Sequence, residues 1–271
     1  MNLQIFKLDK HFSFIKVGKL RRKAHLLNFF SSILYLPIRL SVLVIIWSSI
    51  YKILSIEKIG QYSLYEMIKY YFLFIIIEYI SGSFRGLPYI VWREITTGDI
   101  SKFICRPINY IKYKFYYGFG FVLNIFTLSV VLLYGIWLHT NKLYNFYMFI
   151  IYLISIFFGI VILFYVYICI GFLSFFTESI FGYRDLILHI SSFLGGSIIP
   201  ISLMPKAIYY VTLIFPFRYM IYEPVNLFLL SVSFKNSVKI LLIQILYIIL
   251  LSIFTTFIYK LGIKKYESNG G

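Results

Sequence analysis

A chain of 271 residues that is 61% hydrophobic and 21% aromatic, with 13% charged residues and a mean hydropathy of +0.86, falls outside the ordinary soluble class. At roughly 20 apolar residues per crossing it has room for about five to seven spans and none for a sizeable soluble domain. Its net charge of +16 does not point to nucleic acid, because the basic residues gather where a membrane topology needs them.

The chain opens on a basic, amphiphilic stretch in which Lys7, Lys10, Lys16, Lys19, Arg21, Arg22 and Lys23 alternate with Phe12, Phe14, Ile15, Val17 and Leu20. That pattern predicts an amphipathic interfacial helix over residues 7–25, lying among the lipids of the inner leaflet. It lacks the short apolar core and cleavage site of a signal peptide. Apolar runs follow at 29–51, 64–83, 113–138, 146–176, 186–203 and 237–259, which predicts an all-α membrane protein with six transmembrane helices. Placing the amino terminus inside puts most of the 26 Lys and Arg on the same side, so both termini are expected in the cytosol. Residues 204–230 are apolar but cut by Pro205, Pro216 and Pro224 into pieces of about ten residues, each ~15 Å long and half the hydrocarbon thickness. They predict re-entrant half-helices on the outer side, their freed backbone groups buried against protein. Cys105 and Cys169 lie about one span apart and predict no disulfide.

Between the second and third expected spans lies a polar, basic island, REITTGDISKFICRPINY, from Arg93 to Tyr110. Pro88 suits the first turn of a helix and Gly98 its end, so LPYIVWREITTG reads as one helix with Leu87, Val91 and Ile95 on a common face. Asp99 is placed to cap a second piece in which Ile100, Phe103 and Ile104 share a face while Ser101, Lys102 and Arg106 point away. Pro107 ends that piece and starts the helix that enters the third span. The alternatives at this point are a short amphipathic rod tied at both ends to spans, and a solvated loop whose basic residues hold topology.

The pattern E-I-x-x-G-x-I-x-x-x-I-x-R-P-I-N, Glu94 to Asn109, resembles the cytoplasmic segment of the membrane subunits of bacterial type-2 ATP-binding-cassette exporters. The stretch from Phe175 to Pro224 is similar to the same family's aromatic turn, glycine and proline pairs, and Pro-Phe followed by Tyr-x-Pro. The chain departs from the family pattern at Phe176, where Trp is expected, and at Leu229, Leu230 and Ser231, where a glycine is. The resemblance implies a permease that is not an enzyme, in a bacterial plasma membrane. A second permease copy, identical or homologous, would pair with it, and a cytosolic ATPase dimer would hold the ATP and Mg²⁺. The chain itself binds no cofactor or metal on this reading, and it carries no G-x-x-x-x-G-K-[ST] phosphate cradle. Residues 84–112 become the coupling segment: Arg93, Glu94, Asp99, Lys102 and Arg106 are expected to contact the ATPase, with Gly98 and Pro107 setting angles. Gly195, Gly196, Pro200, Pro205, Pro216, Phe217 and Pro224 are expected to shape an outer gate. The implied cargo is a peptide, antibiotic or other amphiphile.

Among single charges, Arg39 stands two residues after Pro37 in the first span and is a candidate pathway residue, the alternative being a stem that reaches the inner headgroups. Glu66 and Lys69 are expected to form an interfacial ion pair, and Glu78 to be interfacial. Arg218 and Glu223 read as a rim pair or a solvated one. The tyrosines, including Tyr70 and Tyr71, are expected to gather at interfaces. A membrane enzyme would want clustered acids or paired histidines, which the sequence lacks. A secondary transporter or channel without an ATPase stands as the alternative, and an importer is disfavoured because its cytoplasmic E-A-A-x-x-x-G signature is missing.

Overall fold

The computed structural model of the protein describes residues 26–105, 108–120, 122–123, 146–229 and 232–266, with the backbone alone for residues 26–36, 81, 83 and 146. The expected interfacial helix at 7–25, Arg106, Pro107 and most of the third expected span lie outside the described residues.

Helix α1, Leu26–Leu54, contains Pro37, whose carbonyl accepts the Ser41 hydroxyl at 2.8 Å. A two-residue hairpin, β1 Lys58–Ile59 with β2 Tyr62–Ser63 antiparallel, leads into α2, Leu64–Ser81. A capping box starts α2: Ser63 accepts the Glu66 amide, and the Glu66 carboxylate accepts the Ser63 amide at 2.8 Å. Glu66 is committed to that cap, and Lys69 sits 4.3 Å over the Tyr65 ring, so the two do not form the expected ion pair. After a 3₁₀ turn at Gly82–Phe84 come α3, Leu87–Thr96, and the single turn α4, Ser101–Ile104. Residues 110–120 then form a helix, α5.

The longest apolar element is α6, Phe146–Phe172, extended by a 3₁₀ turn at Leu173–Phe175. Beyond it lie α7, Phe181–Leu194, a 3₁₀ turn at Ile201–Leu203, and three short helices, α8 Lys206–Ile214, α9 Phe217–Met220 and α10 Tyr222–Leu229. Helix α11, Phe234–Lys265, is capped by Ser233 and closes the bundle. Among the described residues three helices are long and apolar enough to cross a membrane, over Pro37–Leu54, Tyr147–Phe175 and Phe234–Lys265. They fall on the first, fourth and sixth expected spans.

The fifth departs from expectation. The helix was expected to continue to residue 203, but α7 stops at Leu194 after 14 residues, ~21 Å against a hydrocarbon core of ~30 Å. The stop is built into the chain: Gly196 takes φ +83, a left-handed turn, and a Cβ there would lie 2.7 Å from the Tyr70 hydroxyl oxygen. The expected breaks at Pro205 and Pro216 are seen, each proline standing immediately before a new short helix.

Helix α6 is the centre of the packing and meets α11, α3, α9, α10 and α2. In lipid the hydrophobic effect gives little net attraction between helices, so close packing and internal hydrogen bonds decide the arrangement. Gly171 of α6 is one such approach: a Cβ there would stand 2.7 Å from Cβ of Val91, which lets α3 lie directly on α6.

Candidate functional site

The island forms two short helices around a glycine elbow. Leu87, Pro88, Val91 and Ile95 of α3 are buried, as the spacing predicts. Gly98 takes φ +80, conformation that a side chain would strain, and Ile100 folds back so that its amide donates to the Glu94 carbonyl at 2.9 Å. Ile100 is fully buried and Phe103 half-buried, but Ile104 is exposed, so the expected apolar face of the second piece ends one residue early. Asp99 caps no helix: its carboxylate accepts Lys102 Nζ at 2.5 Å and Thr97 Oγ1 at 3.1 Å, which hold its pKa below the usual range.

Of the expected contact residues, all but Arg106, which lies outside the described residues, have a place. Arg93 and Lys102 are exposed, and Asp99 is partly so, beside exposed Thr96 and Thr97. Glu94 is different. Its carboxylate turns inward and accepts the Tyr110 hydroxyl at 2.6 Å and Lys114 Nζ at 2.5 Å, with the Lys114 side chain only 4% exposed. Ser101, expected to point away, meets the Tyr266 hydroxyl at 3.3 Å, just past the end of α11. Trp92 Nε1 donates to the Glu178 carbonyl at 2.9 Å, before α7. The inner face of the segment therefore grips α5, α6, the turn before α7 and the end of α11. Its outer face, Arg93, Thr96, Thr97 and Lys102, is polar, basic and open. The solvated-loop alternative does not describe this: the backbone is ordered into helices with one face packed.

At the other end of the bundle the helices are short, and their loose carbonyls are satisfied by side chains. Tyr70 donates to the Gly196 carbonyl at 2.7 Å and Tyr71 to the Ile198 carbonyl at 2.7 Å. Tyr247 donates to the carbonyls of Leu213 and Ile214 at 3.2 and 2.8 Å, and Gln244 Nε2 to that of Tyr219 at 2.8 Å and, within the long helix α6, to that of Ser155 at 3.0 Å. An unpaired carbonyl away from water costs several kcal/mol, by order of magnitude, so these donors are what permits irregular backbone in an apolar bundle. Tyr70 and Tyr71 are buried within the bundle for this reason. Gly195, Gly196 and Pro200 form the loop that receives them, while Pro205 and Pro216 precede α8 and α9 and Pro224 sits inside α10. Phe217 is buried. Arg218 and Glu223 are not a solvated pair. They are buried, Nε to Oε1 at 2.5 Å, with the guanidinium 4.9 Å over the Tyr209 ring.

Arg39 also has a partner. It donates to Glu78 of α2, a carboxylate only 6% exposed that accepts Arg85 Nη2 at 2.5 Å as well. Glu78 is thus a buried junction between α1, α2 and the turn before α3, where the sequence suggested an interfacial acid. Cys105 is exposed and Cys169 half-buried, and both are free.

A family model described as ABC-2 family transporter protein matches residues 37–270 of this chain. No curated protein matches it.

Proposed function

The chain belongs to the ABC-2 transporter family, and from that premise we propose that it is the permease half of an exporter driven by a separate cytosolic ATPase dimer. It is an integral membrane transport component and not itself a catalyst. In this reading six spans cross a bacterial plasma membrane with both termini in the cytosol. Residues 204–230 re-enter from the outer side as a gate, and a second permease copy completes the pathway. ATP and Mg²⁺ belong to the partner ATPase.

The observation that carries the reading is the two-sided character of α3 and α4. One face is open and basic at Arg93 and Lys102, and the other is fixed to helices of the bundle by Glu94–Lys114, Val91 against Gly171, and Ser101 with Tyr266. When ATP binding draws the ATPases together, the open face moves with them and the fixed face hands the displacement to α5, α6 and α11. The permease contributes two shapes of different stability, and ATP shifts the balance between them. The broken helices α8 to α10, held by tyrosine and glutamine side chains, are the elements free to repack at the outer end. The cargo is an amphiphile, in the class of peptides and antibiotics.

The test is a paired one. Replacing the partner ATPase's catalytic glutamate abolishes transport in this reading, and undiminished transport would refute it. Reversing charge with Arg93→Glu and Lys102→Glu removes the ATPase from the purified complex, and wild-type recovery of the ATPase would refute the assigned contact face.

A further inference from the structure

One helix touches both ends of the bundle. Helix α11 has no proline, and no glycine before Gly262, so nothing along most of its length supplies a kink. Its buried residues are Ser237, Gln244, Thr255 and Gly262, which fall within about 20° of one another around the helix. Leu242, Leu246, Ile249, Ile253 and Phe257 are exposed on the other sides. The helix therefore lies on α6 along a narrow seam of small and polar side chains, with lipid for its apolar surroundings. Such a seam offers few ridges to fix a register, and Gln244 Oε1 and Thr255 Oγ1 within it have no partner among the described residues. The bonds to other elements lie towards the two ends. Below, Tyr266, just past α11, meets the Ser101 hydroxyl at 3.3 Å and stands 3.6 Å from where a Cβ on Gly98 would lie, so it sits against the elbow between α3 and α4. Tyr259 stacks on Tyr110, planes 5° from parallel, and Tyr110 donates to Glu94 of α3. Gln244 lies ~33 Å up the same helix from Tyr266. There it donates to the Tyr219 carbonyl, while Tyr247 donates to the carbonyls of Leu213 and Ile214 and packs its ring 5.3 Å from that of Tyr219. The last turns of α8 and α9 are thus held by α11.

We propose that α11 is a strut that carries movement of the α3–α4 elbow directly to the joint between α8 and α9, with Tyr266 as its inner positioning residue and Gln244 and Tyr247 as its outer ones. Coupling between distant sites is carried by rigid elements whose two ends are bonded to the parts that move. Helix ends leave their last carbonyls without intrahelical partners, so the joint follows the donors it has, and here those are side chains of α11. A shift of α11 must either carry the joint along or leave those carbonyls unpaired in apolar surroundings, which is the costlier course. The narrow seam on α6 lets α11 shift as a unit. This link reaches the outer side without passing through the short contacts of α5 and α6. Only in calling residues 206–221 part of a gate does the proposal rest on the transport reading; the mechanical link itself needs no ATPase.

The experiment uses the full chain in phosphatidylcholine nanodiscs without an ATPase and reads hydrogen–deuterium exchange of the backbone amides. Gly98→Ala strains the elbow, where φ is +80. It is expected to speed exchange several-fold in residues 206–221 and to leave residues 195–203 unchanged, because that loop lies at the same end but is held by Tyr70 and Tyr71 of α2. Softening the strut with Ile249→Gly and Ile253→Gly, at two exposed positions, is expected to abolish this remote response, measured against its own background. Ile249→Ala with Ile253→Ala removes the same side chains but keeps the helix stiff, and is expected to preserve it. Cutting the outer bonds with Gln244→Leu and Tyr247→Phe is expected to abolish it again. No response at 206–221, an equal response at 195–203, or a response that survives the two glycines would overturn the strut, and so would equal behaviour of the glycine and alanine pairs. ATP-driven transport is tested in its own assay, so either idea can fail while the other stands.

Discussion

In the proposed reading, replacing Glu94 with Ala is expected to separate force transmission from ATPase binding. At 2.5 Å and an effective dielectric of about 20, the attraction between Glu94 and Lys114 is roughly 7 kcal/mol, most of which only offsets the desolvation of the two charges. Breaking such a pair leaves a buried ammonium and costs about 3–5 kcal/mol. Because the Glu94 side chain is 16% exposed, water relieves part of that, and the lower end, about 3 kcal/mol, is expected. Replacing both partners, Glu94→Leu with Lys114→Met, removes the charge as well as the bond and recovers most of the loss. The readouts are denaturant unfolding of the purified permease and transport per ATP hydrolysed in the reconstituted complex. Glu94→Ala is expected to retain the ATPase, since Arg93 and Lys102 are untouched, while transport per ATP falls. Loss of the ATPase to the same degree as Arg93→Glu would refute the inward assignment of Glu94. So would a double variant no more stable than the single one.

Three further perturbations follow from the packing. Tyr70→Phe strips the donor from the buried Gly196 carbonyl and is expected to cost about 1–3 kcal/mol, whereas Tyr65→Phe, at an exposed ring, is expected to be neutral in the same unfolding assay. Gly98→Ala forces a side chain into φ +80, costs about 1–2 kcal/mol, and is expected to lower ATPase retention by turning α4 relative to α3. Glu223→Gln leaves Arg218 buried against a neutral amide and is expected to destabilise the chain by about 3 kcal/mol, and no change would show the pair to be solvated after all.

Much of this was legible in residue spacing. Pro88, Gly98, Pro205 and Pro216 act through backbone geometry that any context preserves, and the structure breaks its helices at or beside each of them. Side-chain partners were harder because they join distant segments, yet a signal existed. Glu94 lies three residues after Val91 and seven after Leu87, on the face that α3 buries, so its inward turn follows from the helical period. Glu78 stands four residues after buried Phe74 and shows the same pattern. The end of α7 at Leu194 was concealed because apolar residues continue to Ile201, and hydropathy does not distinguish a span from an apolar loop whose carbonyls are capped from elsewhere. The tyrosines that cap them, Tyr70 and Tyr71, lie over 120 residues away in sequence. No local pattern reveals that pairing.

Cys105 provides the most direct measurement, because it is a native, exposed thiol on the turn that closes the proposed ATPase-binding face. A membrane-impermeant maleimide is expected to label it in inside-out vesicles and not in intact cells, with labelling suppressed when the partner ATPase is bound. Labelling from the cell exterior, or labelling in inside-out vesicles that the bound ATPase leaves unchanged, would contradict the assignment of α3 and α4 as the lever that the ATPase moves.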